Sequence, residues 1–338
     1  MVAKTITLAD GAGGAATQKF IQTEILSRFS NAILDPLEDS GWIVEEFSRL
    51  VVTTDSFIVN PPIFPGGNIG ALAVSGVTND LLVSGAIPRY LTFGLIMSDG
   101  FPLTSVQTIL DSIEESVKTL DVQIVAGDTK VINNSVEDII INMTGIGEPI
   151  FPQRNYSLSN AKVGDKIIIT GTIGDHGFSI LSYREGLGFD QRVQSDCVPL
   201  IPLVLPILKA FQEIHAMRDP TRGGVLGTLL DIVEASGKNV LVDAESLPIK
   251  PEVVYGCEML GINPLNLVNE GKIVMVVGPS EASEVLSVLQ ESHLGQKSAI
   301  IGEVQQSRSG LPKCLFRDAI GNMHIQERLE GLEVPRLC

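Results

Sequence analysis

Three aspartates stand where short β-branched runs end or give way to small polar residues: Asp55 in VVTTDSF, Asp80 in VTNDLLVSGA and Asp128 in IVAGDTK. Carboxylates at strand ends beside small residues suit Mg²⁺ shared between protein oxygens and nucleotide phosphates. Aspartate is also a common turn former and cap, so one of them alone defines nothing. Their shared context, with Thr54 beside Asp55 and Asn79 beside Asp80, favours a site. Glycines cluster at Gly11–Gly14, Gly66–Gly67 and Gly223–Gly224. Gly13 and Gly14 precede a helical pattern of Phe20, Ile21, Ile25 and Phe29, where free backbone N–H groups can receive an anion. Neither GxxxxGK[ST] nor a strand followed by GxGxxG occurs, and a turn is the competing role for each cluster. Asp219 in MRDPTRGGV precedes another helical pattern, as an N-cap would. Arg218 and Arg222 beside it suit either a phosphate or a structural salt bridge.

Other reactive side chains are less informative in isolation. The spacing of Lys130 and Glu270 identifies neither an acid nor a base. The four histidines, His176, His215, His293 and His324, form no ligand pair, and His176 in GDHGF fits a turn. Cys338 ends the chain. With no residue after it, its sulfur can reach into another site. The adjacent α-carboxylate raises the thiol pKa, Arg336 lowers it, and Pro335 stiffens the approach. The thiol is the last residue, whereas a prenylation signal needs its cysteine fourth from the end.

Elements that must position these residues are partly visible in the periodicity. Leu91–Met97 and Asp138–Ile146 read as strands. Between them Val106, Ile109, Leu110, Ile113 and Val117 line one face of a helix over Thr104–Leu120, opened by a Thr104/Gln107 capping box. The turn-rich stretch PIFPQRNYSLSNAKVGD marks a boundary, which divides the chain into residues 1–150, 151–330 and a mobile tail, 331–338. In the second part Lys166–Thr170, Asn239–Asp243 and Lys272–Val277 read as strands. Val225, Leu229, Ile232 and Val233 read as a helix face closed by Gly237. A further helix is expected over Ser280–His293, with Val285, Leu286 and Leu289 inward.

The composition bounds what such a scaffold does. The 338 residues are 44% hydrophobic and 19% charged, enough for a sizeable core and for two domains at roughly 100–200 residues each. Lys plus Arg is 24 and Asp plus Glu is 40, a net charge of −16. So acidic a chain repels a polyphosphate backbone, which argues against nucleic acid but leaves ATP open through a bridging metal. No apolar run nears the roughly 20 residues of a membrane span, the N-terminus lacks a signal-peptide h-region, and four spaced cysteines make neither a zinc site nor a disulfide scaffold. A soluble, cytoplasmic protein is expected.

The motifs TTDSFIVNPPIFPGGNIG, NDLLVSGAIPRYL, GDTKV, GTIGDHG, RDPTRGGV, NPLNLVNEGK and the terminal PRLC together resemble the HypE family of hydrogenase maturation proteins over essentially the whole chain. Members usually carry a histidine in an early HGxGG segment, where this chain has Asp10 ahead of Gly11, Gly13 and Gly14. The family is similar to aminoimidazole ribonucleotide synthetase, selenophosphate synthetase and thiamine-monophosphate kinase. That resemblance implies an α+β, two-domain fold: an N-terminal ATP-binding domain that dimerises through its sheet, and an α/β C-terminal domain. It implies ATP and Mg²⁺ as cofactors, with Asp55, Asp80, Asp128 and Asp219 associated with metal. Gly13, Gly14, Thr54, Asn68 and Asn79 are the implied nucleotide contacts.

The implied reaction is ATP-dependent dehydration of an S-carbamoyl group on Cys338 to a thiocyanate. HypF supplies the carbamoyl group, and the HypC–HypD complex takes the cyanide for [NiFe]-hydrogenase iron. The resemblance points to Glu270 and Lys130 as the pair near the carboxamide; the division of roles, Glu270 as base and Lys130 as the group that orients and neutralises it, is our own hypothesis. Two alternatives compete: an ATP-dependent kinase or synthetase of a free small molecule, and a non-catalytic maturation scaffold. A selenophosphate synthetase is disfavoured because no cysteine precedes Cys197. The terminal cysteine disfavours the free-substrate kinase.

Overall fold

A computed structural model of the chain describes residues 5–11, 15–37, 43, 49–133, 138–307 and 310–328. Gly13, Gly14 and the expected tail with Cys338 lie outside the described residues. The chain divides into two compact units; the first runs to Leu81 and from Ala86 to Ile150, the second takes Leu82–Gly85 and the chain from Phe151.

In the first unit α1 (Ala15–Phe20) passes through a π-helical turn, Ile21–Leu26, into α2 (Ser27–Phe29). The wide turn shifts the helical register, so Glu24 is buried where a regular helix would bury Ile25. Arg28 Nη1 (3.4 Å) and Gln107 Nε2 (3.1 Å) partner its carboxylate. Strand β1 (Val51–Phe57) is followed by the two-residue strands β2 (Ile63–Phe64) and β3 (Gly67–Asn68), then by α3 (Ile69–Val83). Asn68 is the N-cap of α3, its Oδ1 accepting from the N–H groups of Gly70 (2.9 Å) and Ala71 (3.1 Å). Helix α3 is apolar nearly all round and buried; Ser75 and Thr78 satisfy their hydroxyls on the Ala71 and Val74 carbonyls.

Strand β4 (Ala86–Ser98), helix α4 (Leu103–Leu120), β5 (Gln123–Ile132) and β6 (Ile139–Pro149) complete the unit, with sheet order β1-β6-β4-β5. The two strands read from sequence are present and longer than expected. All five apolar positions of the expected helix are buried in α4. The capping box is not formed. Pro102 is the N-cap and offers no side-chain acceptor, Thr104 lies inside the helix, and Gln107 turns to Glu24.

The second unit orders its strands β13-β12-β9-β11-β7-β10-β8. They are β7 (Lys166–Ile169), β8 (Ile214–Arg218), β9 (Asn239–Asp243), β10 (Val274–Val277), β11 (Ala299–Gln305), β12 (Cys314–Arg317) and β13 (Met323–Gln326). Helices α5 (Asp175–Arg184), α6 (Ile201–Ala210), α7 (Gly224–Ser236), α8 (Pro251–Leu260) and α9 (Ala282–Glu291) connect them. Neighbouring strands are antiparallel except β9 and β12. Val225, Leu229, Ile232 and Val233 of α7 pack with Ile167, Ile169, Val240, Val242, Val274 and Val276 in one core. Gly237 ends α7 in the left-handed conformation (φ 67), its N–H bonded to the Val233 carbonyl, as the sequence indicates.

Candidate active site

The first sheet has two chemically different faces. Ile139, Ile141, Met143 and Gly145 of β6 face inward; a Cβ on Gly145 would lie 2.4 Å from Val77, so α3 rests against the sheet there. Thr53 donates to Asp80 Oδ2 at 2.8 Å, which puts the α3 carboxylate beside β1. Two residues on, Asp55 leaves the strand on that same face. Asp55 is exposed, Asp80 half-buried and Asn79 buried.

The opposite face carries Asn142, Thr144, Thr92 and Gly94, all half-exposed. Thr54 belongs here, its Oγ1 2.9 Å from that of Thr144. The pairing register puts Asp128 in the row of Ser56, Asn142 and Gly94. Lys130, two residues later, stands 3.4 Å from Asp128 Oδ1, with both side chains more than half exposed. The fold therefore joins Asp55 with Asp80 and Asp128 with Lys130, on opposite faces of one sheet. Asn68 has its oxygen committed to the α3 cap, and its amide donates to Ser112 at 2.7 Å. Among the described residues no group of three His, Cys, Asp or Glu side chains is placed to hold a metal ion.

A second constellation lies at one end of the other sheet. Antiparallel pairing sets Ile169 at the end of β7 beside Val274 at the start of β10, and Val274 beside Arg218 at the end of β8. The segments after β7, before β10 and after β8 must therefore converge. They bring together GTIGDHG, NEGK and Asp219-Pro220. Asn269, fully buried, accepts from the Gly174 N–H at 2.7 Å and donates to the carbonyls of Pro220 (3.2 Å) and Leu267 (2.9 Å). Glu270 follows it, 7% exposed.

Asp196 holds the other side of Glu270. Its Oδ1 accepts the Glu270 backbone N–H at 3.2 Å, and its Oδ2 lies 3.1 Å from Lys272 Nζ. Gly271 presses on the Asp196 carbonyl so closely that a Cβ would sit 1.7 Å from its oxygen; a Cβ on Gly171 would lie 2.7 Å from Cε of the Lys272 stem. Burial alone would raise the Asp196 pKa, but Lys272, His176 and the Glu270 N–H together hold it below the usual carboxylate value. His176, fully buried, meets Ser195 Oγ at 2.8 Å, and burial pushes its pKa down to about 4. Burial and the neighbouring Asp196 charge raise that of Asp175, against the opposing effects of Thr172 and Lys250, whose Nζ is 3.0 Å from Asp175 Oδ2.

His176 is thus a buried member of a charged cluster rather than a turn residue. Asp219 does not cap α7, whose N-cap is Gly223 (φ 77). Arg218 makes a salt bridge, 3.6 Å from Asp231. The cluster of Asp175, His176, Asp196 and Lys272 escaped the sequence reasoning. The signal for it was two glycine-flanked polar motifs, each adjoining a strand of the second half.

Both halves match models of AIR synthase related proteins: the N-terminal domain over residues 37–148 and the C-terminal domain over 162–311. The fold and the paired sites define a two-domain protein of that class. Carbamoyl dehydratase HypE of Rhizobium leguminosarum bv. viciae is 40% identical over 98% of this chain and 95% of its own length, and that of Escherichia coli is 40% identical over 90% and 91%. The crystal structure of hydrogenase maturation protein HypE in complex with ATP superposes with a TM-score of 0.94 at 37% identity, covering 99% of this chain and all of the other. The chain belongs to the HypE carbamoyl dehydratase family and is an enzyme. A HypE–HypF complex also matches, with a TM-score of 0.79 at 40% identity over 94% of this chain and 100% of that one. No helix among the described residues is long and apolar enough to cross a membrane.

Proposed function

We propose that this protein binds ATP and uses it to dehydrate an S-carbamoyl group on its own Cys338 to a thiocyanate, which supplies cyanide for [NiFe]-hydrogenase iron. The observation that carries the proposal is the 0.94 TM-score at 37% identity to HypE crystallised with ATP, over 99% of the chain. Asp55 and Asp80 offer hard carboxylate oxygens on one sheet face. That donor set suits Mg²⁺, which takes one or two carboxylates and completes its shell with water and phosphate oxygens. When bound, the ion neutralises phosphate charge during transfer. Asp128 and Asp219 belong to the proposal by resemblance rather than by proximity, as do Gly13, Gly14, Thr54, Asn68 and Asn79 for the nucleotide.

The reaction balances as R–S–C(O)NH₂ plus ATP giving R–S–C≡N, ADP and phosphate. The carboxamide oxygen attacks the γ-phosphorus, which turns a poor leaving group into phosphate. Two protons leave the nitrogen as the C≡N bond forms and the C–O bond breaks. Glu270, held at its backbone by Asp196 and beside the Asn269 clamp, is the base for the N–H proton. Lys130 enters the proposal by resemblance, as the group that orients and neutralises the base. Glu270→Gln is expected to lose cyanation by at least about a hundredfold while still accepting the carbamoyl group at Cys338. Unimpaired cyanation overturns the assignment of the base.

HypF as carbamoyl donor accords with the HypE–HypF complex among the similar structures, and HypC–HypD is the proposed acceptor. A homodimer through the first sheet is supported by its α3-distal face. Val52 there is 61% exposed and Ile132 38%, alongside half-exposed Ile96, Ile140 and Ile146. A cytoplasmic setting follows from the same assignment.

A further inference from the structure

The second unit carries a cationic cleft that none of the residues proposed for nucleotide, metal or carboxamide touches. It has a volume of about 460 Å³ and is lined by Arg154, Asn155, Asn160, Lys162, Gln212 and His215, with Ile214 at its floor. No carboxylate lines it, in a chain of net charge −16. Neither of its fixed cations is neutralised by an ion pair among the described residues. Arg154 Nη1 donates to the carbonyls of Phe211 (3.2 Å) and Leu208 (3.5 Å), Nη2 donates to Gln212, and the guanidinium stacks 4.4 Å from the Phe151 ring. Among the described residues Lys162 Nζ meets the imidazole of His215, at 2.9 Å from Nε2. These contacts orient both positive charges without cancelling them.

The imidazole is itself held in a fixed orientation. Asp165, 1% exposed, accepts from His215 Nδ1 at 2.8 Å and from the Lys162 backbone N–H at 2.7 Å. Nδ1 therefore carries the hydrogen, and in the neutral ring the Nε2 lone pair accepts from the Lys162 ammonium. Glu213 Oε2 also lies 3.1 Å from Nε2, a contact that requires a protonated ring. Nε2 cannot serve both partners. Glu281, the remaining carboxylate nearby, is occupied by the backbone N–H groups of Gln212 (3.0 Å) and Glu213 (2.7 Å).

We propose that this cleft is a binding site for a small oxyanion of the inorganic phosphate class, with Lys162 and Arg154 as its cations. An arriving phosphate accepts hydrogen bonds from Lys162 Nζ and from the outward guanidinium and amide N–H groups. Lys162 then turns from Nε2 to the anion. Nε2 takes up a proton and donates to Glu213, so binding adds one positive charge beside the ligand. The site thereby couples oxyanion binding to uptake of one proton at His215.

The test is a titration of the full chain, free of nucleotide, with inorganic phosphate at constant ionic strength, followed by the ring ¹⁵N resonances of His215 and assigned by His215→Asn. Expected is a saturable shift toward the imidazolium position. Lys162→Gln is expected to weaken it at least about tenfold, and Lys162→Arg to retain it. Lys162 is exposed, so neither variant threatens folding. Phosphate bound at a nucleotide site leaves the His215 resonances unmoved, which separates failure here from failure of the proposed dehydration. A His215 response that does not saturate, that chloride reproduces, or that Lys162→Gln leaves unchanged overturns the proposal.

Discussion

Lys272→Met removes the ammonium opposite Asp196 while keeping the length and apolar stem of the side chain. Lys272 and Asp196 are 10% and 4% exposed, and 3.1 Å separates the charged atoms. Removing one partner of so buried a pair leaves an uncompensated charge, which costs about 3–5 kcal/mol. That is a large part of the about 5–15 kcal/mol that holds a typical protein folded. Asp196→Asn strands the ammonium instead and costs about as much, although its amide oxygen can still accept the Glu270 N–H. The double variant removes both charges of the pair and is expected to cost under about 2 kcal/mol, far less than the two single costs together. Hydrogen exchange at the β7 and β10 amides as urea is raised reports the second unit by itself. Additive costs, or a Lys272→Met penalty under about 1 kcal/mol, refute the view that this pair is a tightly coupled support for Glu270.

Two further outcomes follow from the same cluster and from the thiols. His176 titrates at about 4 in the fold against 6.5 unfolded, so below pH 6.5 the unfolded chain binds a proton that the folded chain does not. Stability therefore rises with pH across that window, by about 3 kcal/mol in all, and urea midpoints of His176→Gln should lack this slope; an unchanged slope contradicts the assignment. Burial pushes the thiol of Cys257 up to about 11 and that of Cys314 up to about 12, whereas Cys197 is only half-buried. Of these three, Cys197 should be alkylated first in the native protein, mapped by peptide mass spectrometry; equal labelling of Cys314 without unfolding contradicts it.

Periodicity revealed the elements better than their ends. The apolar stripe of α4 is a local property and appears in the sequence, as does Gly237, whose lack of a Cβ permits the left-handed end of α7. The Thr104/Gln107 pattern misled because tertiary demand won: Gln107 is drawn to Glu24, which the π-helical turn buries. Site residues divide similarly. Asp55 and Asp80 stand out by local context, and the fold brings them to one face. The partners of Glu270 are invisible locally, since Asp196 is 74 residues away, in the segment between α5 and α6. A GDHG tetrapeptide read alone looks like a turn; placed after β7 it opens α5 inside a charged cluster.

The measurement that bears most directly on the proposed chemistry is the intact mass of the full chain after incubation with its carbamoyl donor system, with and without MgATP. The expected result is a gain of about 43 Da without ATP and a subsequent loss of about 18 Da once ATP is added, both mapped to Cys338, as one difficult conversion split into two steps requires. Donor turnover that leaves Cys338 unmodified, or a carbamoyl group there that never loses water when ATP is present, contradicts it.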